Sequence, residues 1–242
     1  AARKDAPLLI GYGKGENYIA SDVTALLSHT KTVTYMEDGE VAVIAADQVQ
    51  IFDRDRFQLE KEKHSIEWDV SAAEKCGYSH FMLKEIMEQP EAVRKTISPR
   101  LVNKEIVLEE LNDAKELMKN ISRIYIAACG SAYHVGMVGK YALEKLLHIP
   151  VEACLASEFR YSEPLLGESS LVIVISQSGE TLDSMAALRE AKRKGSKVLS
   201  IVNVMGSSIA RESDYVLYTW AGPEIAVATT KAYTTQMVLL LM

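Results

Sequence analysis

Leu171 to Ile175 form an unbroken apolar run, rich in β-branched residues, that stops abruptly at Ser176-Gln177-Ser178-Gly179-Glu180-Thr181. A strand without polar alternation is buried on both faces, which occurs inside a parallel sheet covered by helices. The flanking sequence repeats this grammar from Ile121 onward. RIYIAAC (123–129) reads as a strand, GSAYHVGMVGKYALEKLLHI as a helix, VEACLA as a strand and ASEFRYS as a short helical segment. After SLVIVIS, the stretch TLDSMAALREAKRKG reads as a helix closed by Gly195 in a left-handed cap, and KVLSIVNV and DYVLYTW as further strands. Alternating strands and helices predict an α/β fold with a doubly wound parallel sheet over residues 121–242.

The first part of the chain follows different rules. From Pro7 to Phe52 the pattern is β-rich and antiparallel in character, and Asp38-Gly39 lies between two β-branched runs, a hairpin signal. This predicts a partial antiparallel α+β segment over 1–72. Residues 73–120 are expected to form a helical linker. HFMLKEIMEQPEAVRKTI is expected to break or restart at Pro90, and Asn103 to cap a second helix whose Val107, Leu111, Ala114 and Met118 share one face. The chain enters a strand almost at once and stops at QMVLLLM without a cap or polar tail, which reads as an interior piece of a longer polypeptide.

Several function classes recede on composition and spacing. A net charge of -6 argues against nucleic acid as a partner, because phosphate backbones are met by a concentrated basic face. No apolar run approaches the roughly 20 residues of a bilayer helix, so no membrane role is expected. Three cysteines without CxxC spacing and five scattered histidines suggest neither a zinc site nor a disulfide framework; a cytoplasmic location fits, with no metal and no cofactor. GYGKGE is not a dinucleotide loop, and no Walker sequence occurs.

What remains is the hydroxyl-rich junction. In a parallel sheet, ligands bind where strand ends lead into helix N-termini, whose free N–H groups and dipole suit an anion. Gly179 permits close backbone approach, and Ser176, Ser178 and Thr181 each offer a donor, enough to hold a phosphate without lysine. The competing reading is structural: Ser178 or Thr181 caps the helix and Ser176 finishes the strand. Cys129-Gly130-Ser131-Ala132 repeats the theme at another strand end, and AGPEIAVATTKAYTTQ (221–236) adds a threonine-rich junction where Thr229 or Thr230 caps a helix or meets sugar hydroxyls. Cys129 reads as a small buried thiol, His134 as a structural histidine or a ligand contact, and Glu224 and Lys231 as acid/base candidates without assigned roles.

CGSAYHVG, EACLASEFRYSEP, VIVISQSGETLDSMAALREAK, NVMGSSIARESDY and EIAVATTKAYTTQ together resemble the first sugar-isomerase (SIS) domain of the glutamine–fructose-6-phosphate aminotransferase family. GYGKGENYIASD, the DGE turn and IEWD resemble the C-terminal part of its N-terminal-nucleophile glutaminase domain. The resemblance implies a SIS-type sheet within an enzyme that uses ammonia from glutamine to convert fructose 6-phosphate to glucosamine 6-phosphate, and a homodimer. It places Ser176, Gln177, Ser178 and Thr181 on the sugar phosphate, Ser131 near the ligand and Val227 against it through its backbone, with Gly130, Gly179 and Thr229 as further contacts. Where the family usually has CGTSYH this chain has CGSAYH, so Ala132 lacks a hydroxyl. The glutaminase cysteine and the isomerase lysine of that family have no counterpart in these residues, so no catalytic residue is assigned, and the chain alone is expected to bind the sugar phosphate weakly or not at all and to show no turnover. A sugar-phosphate-sensing SIS module is the alternative.

Overall fold

The computed structural model describes residues 1–4, 6–66 and 75–242, which divide into two compact units, Ala1–Phe81 and Met82–Met242. Most of IEWD and the expected 72/73 boundary lie outside the described residues.

The first unit is antiparallel. Strands β1 (Leu9–Tyr12), β2 (Asn17–Ala20), β3 (Thr32–Tyr35), β4 (Val41–Ile44), β5 (Val49–Phe52), β6 (Gln58–Leu59) and β7 (His64–Ser65) form one sheet ordered β2-β1-β3-β7 and another ordered β4-β5-β6. Ile10, Met36, Ala42 and Ile51 pack in one cluster drawn from both sheets. The expected hairpin at Asp38-Gly39 does not form: β3 pairs with β1 and β7, whereas β4 pairs with β5 through a turn at 45–48. The free edge of β4 is taken instead by the preceding chain, where Ala2 bridges Val41 and the Gly39 N–H donates to Arg3 O (2.9 Å). The two residues still turn the chain, but into a second sheet.

The second unit opens with α1 (Phe81–Ile97), a single helix that runs through Pro90. Proline deprives Ile86 O of its helical donor, and Gln89 Nε2 replaces it at 3.1 Å, so the expected interruption does not occur. Asn103 caps no helix. It and Lys104 both have positive φ (51° and 68°) and form the two-residue turn between β8 (Leu101–Val102) and β9 (Glu105–Ile106). The helix expected there shrinks to a 3-10 stretch at Glu109–Ala114 followed by α2 (Lys115–Lys119).

Next come β10 (Arg123–Ala128), α3 (Gly130–Leu147), β11 (Val151–Leu155), α4 (Ala156–Phe159), β12 (Ser170–Ser176), α5 (Leu182–Arg193), β13 (Lys197–Val202), α6 (Ser208–Glu212), β14 (Tyr215–Tyr218) and α7 (Lys231–Leu240). All five strands run parallel in the order β11-β10-β12-β13-β14, a doubly wound sheet. Central β12 is buried at every position, because Val172 and Val174 face α4, α5 and α6 while Leu171, Ile173 and Ile175 face α3 and α7. Its unbroken apolar run follows from that two-sided burial. Gly195, with φ 85°, ends α5 as expected: its N–H donates to Lys192 O and that of Ser196 to Ala191 O, both at 3.0 Å. Among the described residues no helix is long and apolar enough to cross a membrane.

The loop before β14 carries an electrostatic latch. Burial pushes the Asp214 carboxyl up, but the Lys197 ammonium at 2.8 Å and the Val198 N–H at 3.0 Å outweigh it and hold the carboxyl below the ordinary aspartate range. A lowered folded value stabilises the fold above the unfolded aspartate range, and that contribution disappears as pH falls through the folded value. The melting-temperature gap between the parent and Asp214→Asn is therefore expected to be open at neutral pH and to close as pH falls below the ordinary aspartate range. A gap independent of pH rejects this account.

Candidate functional site

The chain leaves β10 for the outer strand β11 and returns to β12 on the other side of β10. The carboxyl ends of β10 and β12 therefore flank the point where strand order reverses, the position at which open α/β sheets bind ligands. Ala128 pairs in register with Ile175, so the Cys129–Ser131 turn and the Ser176–Thr181 turn begin side by side. A bond from Ser184 Oγ, in the first turn of α5, to Cys129 Sγ (3.8 Å) joins them.

Each hydroxyl of the second turn has its own task. Ser176 is buried, and its Oγ accepts from Gly179 N (3.0 Å) while bonding to Thr181 Oγ1 (3.1 Å). Ser178 Oγ accepts from Glu180 N (3.2 Å). Thr181 occupies the N-cap position of α5, and Cys129 that of α3, yet neither makes a side-chain capping bond. The first-turn amides of two long helices are thus left for solvent or a ligand, at neighbouring strand ends. Simple capping by Ser178 or Thr181, one of the two sequence readings, is not the arrangement observed. Ser131 and Gly130 are exposed in the first turn of α3.

The turn is clamped from behind by residues that motif reading passed over. Glu180 Oε1 accepts from Ser208 N (2.7 Å), Gly179 O accepts from Ile209 N (3.0 Å) and Gln177 O accepts from Asn203 N (3.1 Å). Asn203, buried at the end of β13, also donates to Gly222 O (2.7 Å) and accepts from Thr219 Oγ1 (3.1 Å) and Ala221 N (3.0 Å). One side chain thus links the hydroxyl turn to the segment after β14. A lone polar residue closing an apolar strand is the signal that could have found it.

The third junction is built differently from expectation. Glu224 caps α7: its carboxylate accepts from Thr229 Oγ1 (2.5 Å), Thr230 N (2.8 Å), Thr230 Oγ1 (3.3 Å) and Ala232 N (3.2 Å). Neither Thr229 nor Thr230 caps the helix, and the Thr229 hydroxyl is already engaged. Val227 is wholly exposed on this loop (105 %). Lys231, an acid/base candidate by residue type, is buried with its ammonium on Glu88 Oε2 (2.7 Å). Cys154, on β11, is held inert by burial and the neighbouring Glu152, which push its thiol up to about 12. Among the described residues no group of three His, Cys, Asp or Glu is placed to hold a metal ion.

A family profile described as SIS domain matches residues 117–242. Glutamine–fructose-6-phosphate aminotransferase [isomerizing] of Caldanaerobacter subterraneus subsp. tengcongensis is 56% identical over 241 residues, covering 99% of this chain and 40% of the relative. The protein of the same name from Methanosarcina mazei is 51% identical over 241 residues, covering 99% and 39%. Among solved structures, the C-terminal domain of glucosamine-fructose-6-phosphate aminotransferase from Francisella tularensis is 47% identical, with a TM-score of 0.66 over 69% of this chain and 47% of that one. The chain spans about 40% of the length of these curated relatives.

Proposed function

This chain belongs to the SIS-domain family, and on that premise we propose that it is the sugar-phosphate-holding part of a glutamine–fructose-6-phosphate aminotransferase. The observation that carries the reading is the pair of uncapped helix N-termini at the switch point, faced by the hydroxyl turn. Ser131, Ser178 and Thr181 donate to the phosphate of fructose 6-phosphate, Ser176 and Gly179 hold the turn in shape, and Gln177 and Gly130 border the ligand. The α3 and α5 dipoles favour its charge without any lysine. Val227 meets the sugar through its backbone, and Thr229 stands next to it. The chain binds but does not turn over; the complete enzyme, a cytoplasmic homodimer, draws ammonia from glutamine and releases glucosamine 6-phosphate.

Calorimetric titration of the 242-residue chain with fructose 6-phosphate tests this. Binding is expected, with no glucosamine 6-phosphate formed when glutamine is added. Ser178→Ala is expected to weaken binding by about tenfold or more, since a hydrogen bond to a charged acceptor contributes about 1.5–3 kcal/mol. Equal affinity in parent and variant sinks the assignment of Ser178, and absence of binding by the parent sinks the site.

A further inference from the structure

Helix α1 is buried on the wrong side by ordinary rules. Met82, Leu83, Ile86 and Met87 are exposed, while Lys84 and Glu85 are 3% and 2% exposed. A carboxylate withdrawn from water is costly unless hydrogen-bonded, so the charged inner face needs a structural reason.

That reason lies at four positions with helical spacing. Glu85 Oε1 accepts the backbone N–H groups of Ile225 (2.7 Å) and Ala226 (3.2 Å). Glu88 carries the ion pair with Lys231 and a second, looser one with Lys84 (3.5 Å). Gln89 accepts from Thr234 Oγ1, and Ala92 packs with Ala221 and Ala232. Residues 85, 88, 89 and 92 thus grip the 221–234 segment from outside the sheet. Asn203 holds one end of that segment and Glu224 the other; Glu85 alone among these binds the amides immediately before Val227.

We propose that Glu85 is a positioning residue: by binding the Ile225 and Ala226 amides, its buried carboxylate sets the backbone of the 225–229 loop against the sugar of a phosphosugar held at 176–181. The inference rests on the site reading above and adds a division of labour to it. The hydroxyl turn binds the phosphate, and α1, outside the sheet, fixes the half that meets the sugar. What matters in Glu85 is reach and an acceptor oxygen, not negative charge as such.

Two conservative variants separate these properties. Glu85→Gln keeps the length and one acceptor oxygen; Glu85→Asp keeps the charge but withdraws it by one methylene. Fructose 6-phosphate and inorganic phosphate are titrated into the parent and both variants, and amide hydrogen exchange is followed at Ile225 and Ala226. Glu85→Asp is expected to lose about tenfold in fructose 6-phosphate affinity, keep its affinity for inorganic phosphate and exchange faster at both amides. Glu85→Gln is expected to stay near the parent in all three. The proposal is overturned if Glu85→Asp binds the sugar phosphate like the parent, or if it loses both ligands equally. A parent chain that binds neither ligand defeats the site reading instead. Exchange at the two amides then still decides the anchoring, since unchanged rates in Glu85→Asp overturn it without any ligand.

Discussion

Gly179→Ala is expected to destabilise the chain by about 3 kcal/mol and to abolish fructose 6-phosphate binding. Gly179 has φ 68°, a conformation that costs an L-residue roughly 1–2 kcal/mol. A methyl group there would also stand 2.1 Å from Ser207 Oγ and 2.5 Å from Ser207 Cβ. Ser207 cannot yield cheaply, because it is buried where α6 begins and the Ile209 N–H is bonded back to Gly179 O. The turn would have to open, and Ser176 would lose the Gly179 N–H that orders it. Urea unfolding with calorimetric titration measures both effects. The double variant Gly179→Ala/Ser207→Gly is expected to recover the steric share and leave the backbone share, a coupling of about 1–2 kcal/mol. A single variant within about 0.5 kcal/mol of the parent refutes the tight-turn account.

Asn203→Ala is expected to cost about 3 kcal/mol and to weaken sugar-phosphate binding by loosening the backbone behind the hydroxyl turn. Removing the amide strands three buried or partly buried groups at once: Gly222 O, Ala221 N and the Thr219 hydroxyl. Each unsatisfied group costs about 1–3 kcal/mol, reduced here by partial access to water. Asn203→Asp should fall between, because a carboxylate still accepts from Thr219 and Ala221 but cannot donate to Gly222 O. Urea midpoints ordered parent, Asp, Ala support the bracing role of Asn203. Asp and Ala variants of equal stability show that the acceptor side of Asn203 contributes nothing.

These variants probe parts of the molecule that differ in how readily the chain announces them. The sheet was legible from Leu171 to Ile175, because burial on both faces leaves no room for polar alternation. The hydroxyl turn was legible from its residue types and its place after a strand. Three local expectations failed, the first because a distant segment supplied the deciding contact and the other two through local bonds and backbone geometry that residue type alone did not reveal. Asp38-Gly39 turns the chain into a second sheet because the segment around Ala2 occupies the edge of β4. Pro90 sits inside a helix because Gln89 serves the orphaned carbonyl. Asn103 lies at a tight turn between β8 and β9, where two consecutive positive φ values suit asparagine better than a helix cap does.

The amino-acid sequence by itself determined the parallel sheet, the antiparallel character of the first unit and the hydroxyl-rich junctions after the parallel strands, because those follow from periodicity and residue type within short windows. Only the tertiary structure decided how each polar group is used. Ser176 turns inward to Gly179, Glu224 rather than threonine caps α7, and Lys231 is neutralised by Glu88. Glu85 reaches amides 140 and 141 residues away. A hydroxyl or carboxylate can satisfy itself in many ways, and which partner it meets, near in the chain or distant, is set by the folded backbone that brings the two within about 3 Å, information that residue type alone does not contain.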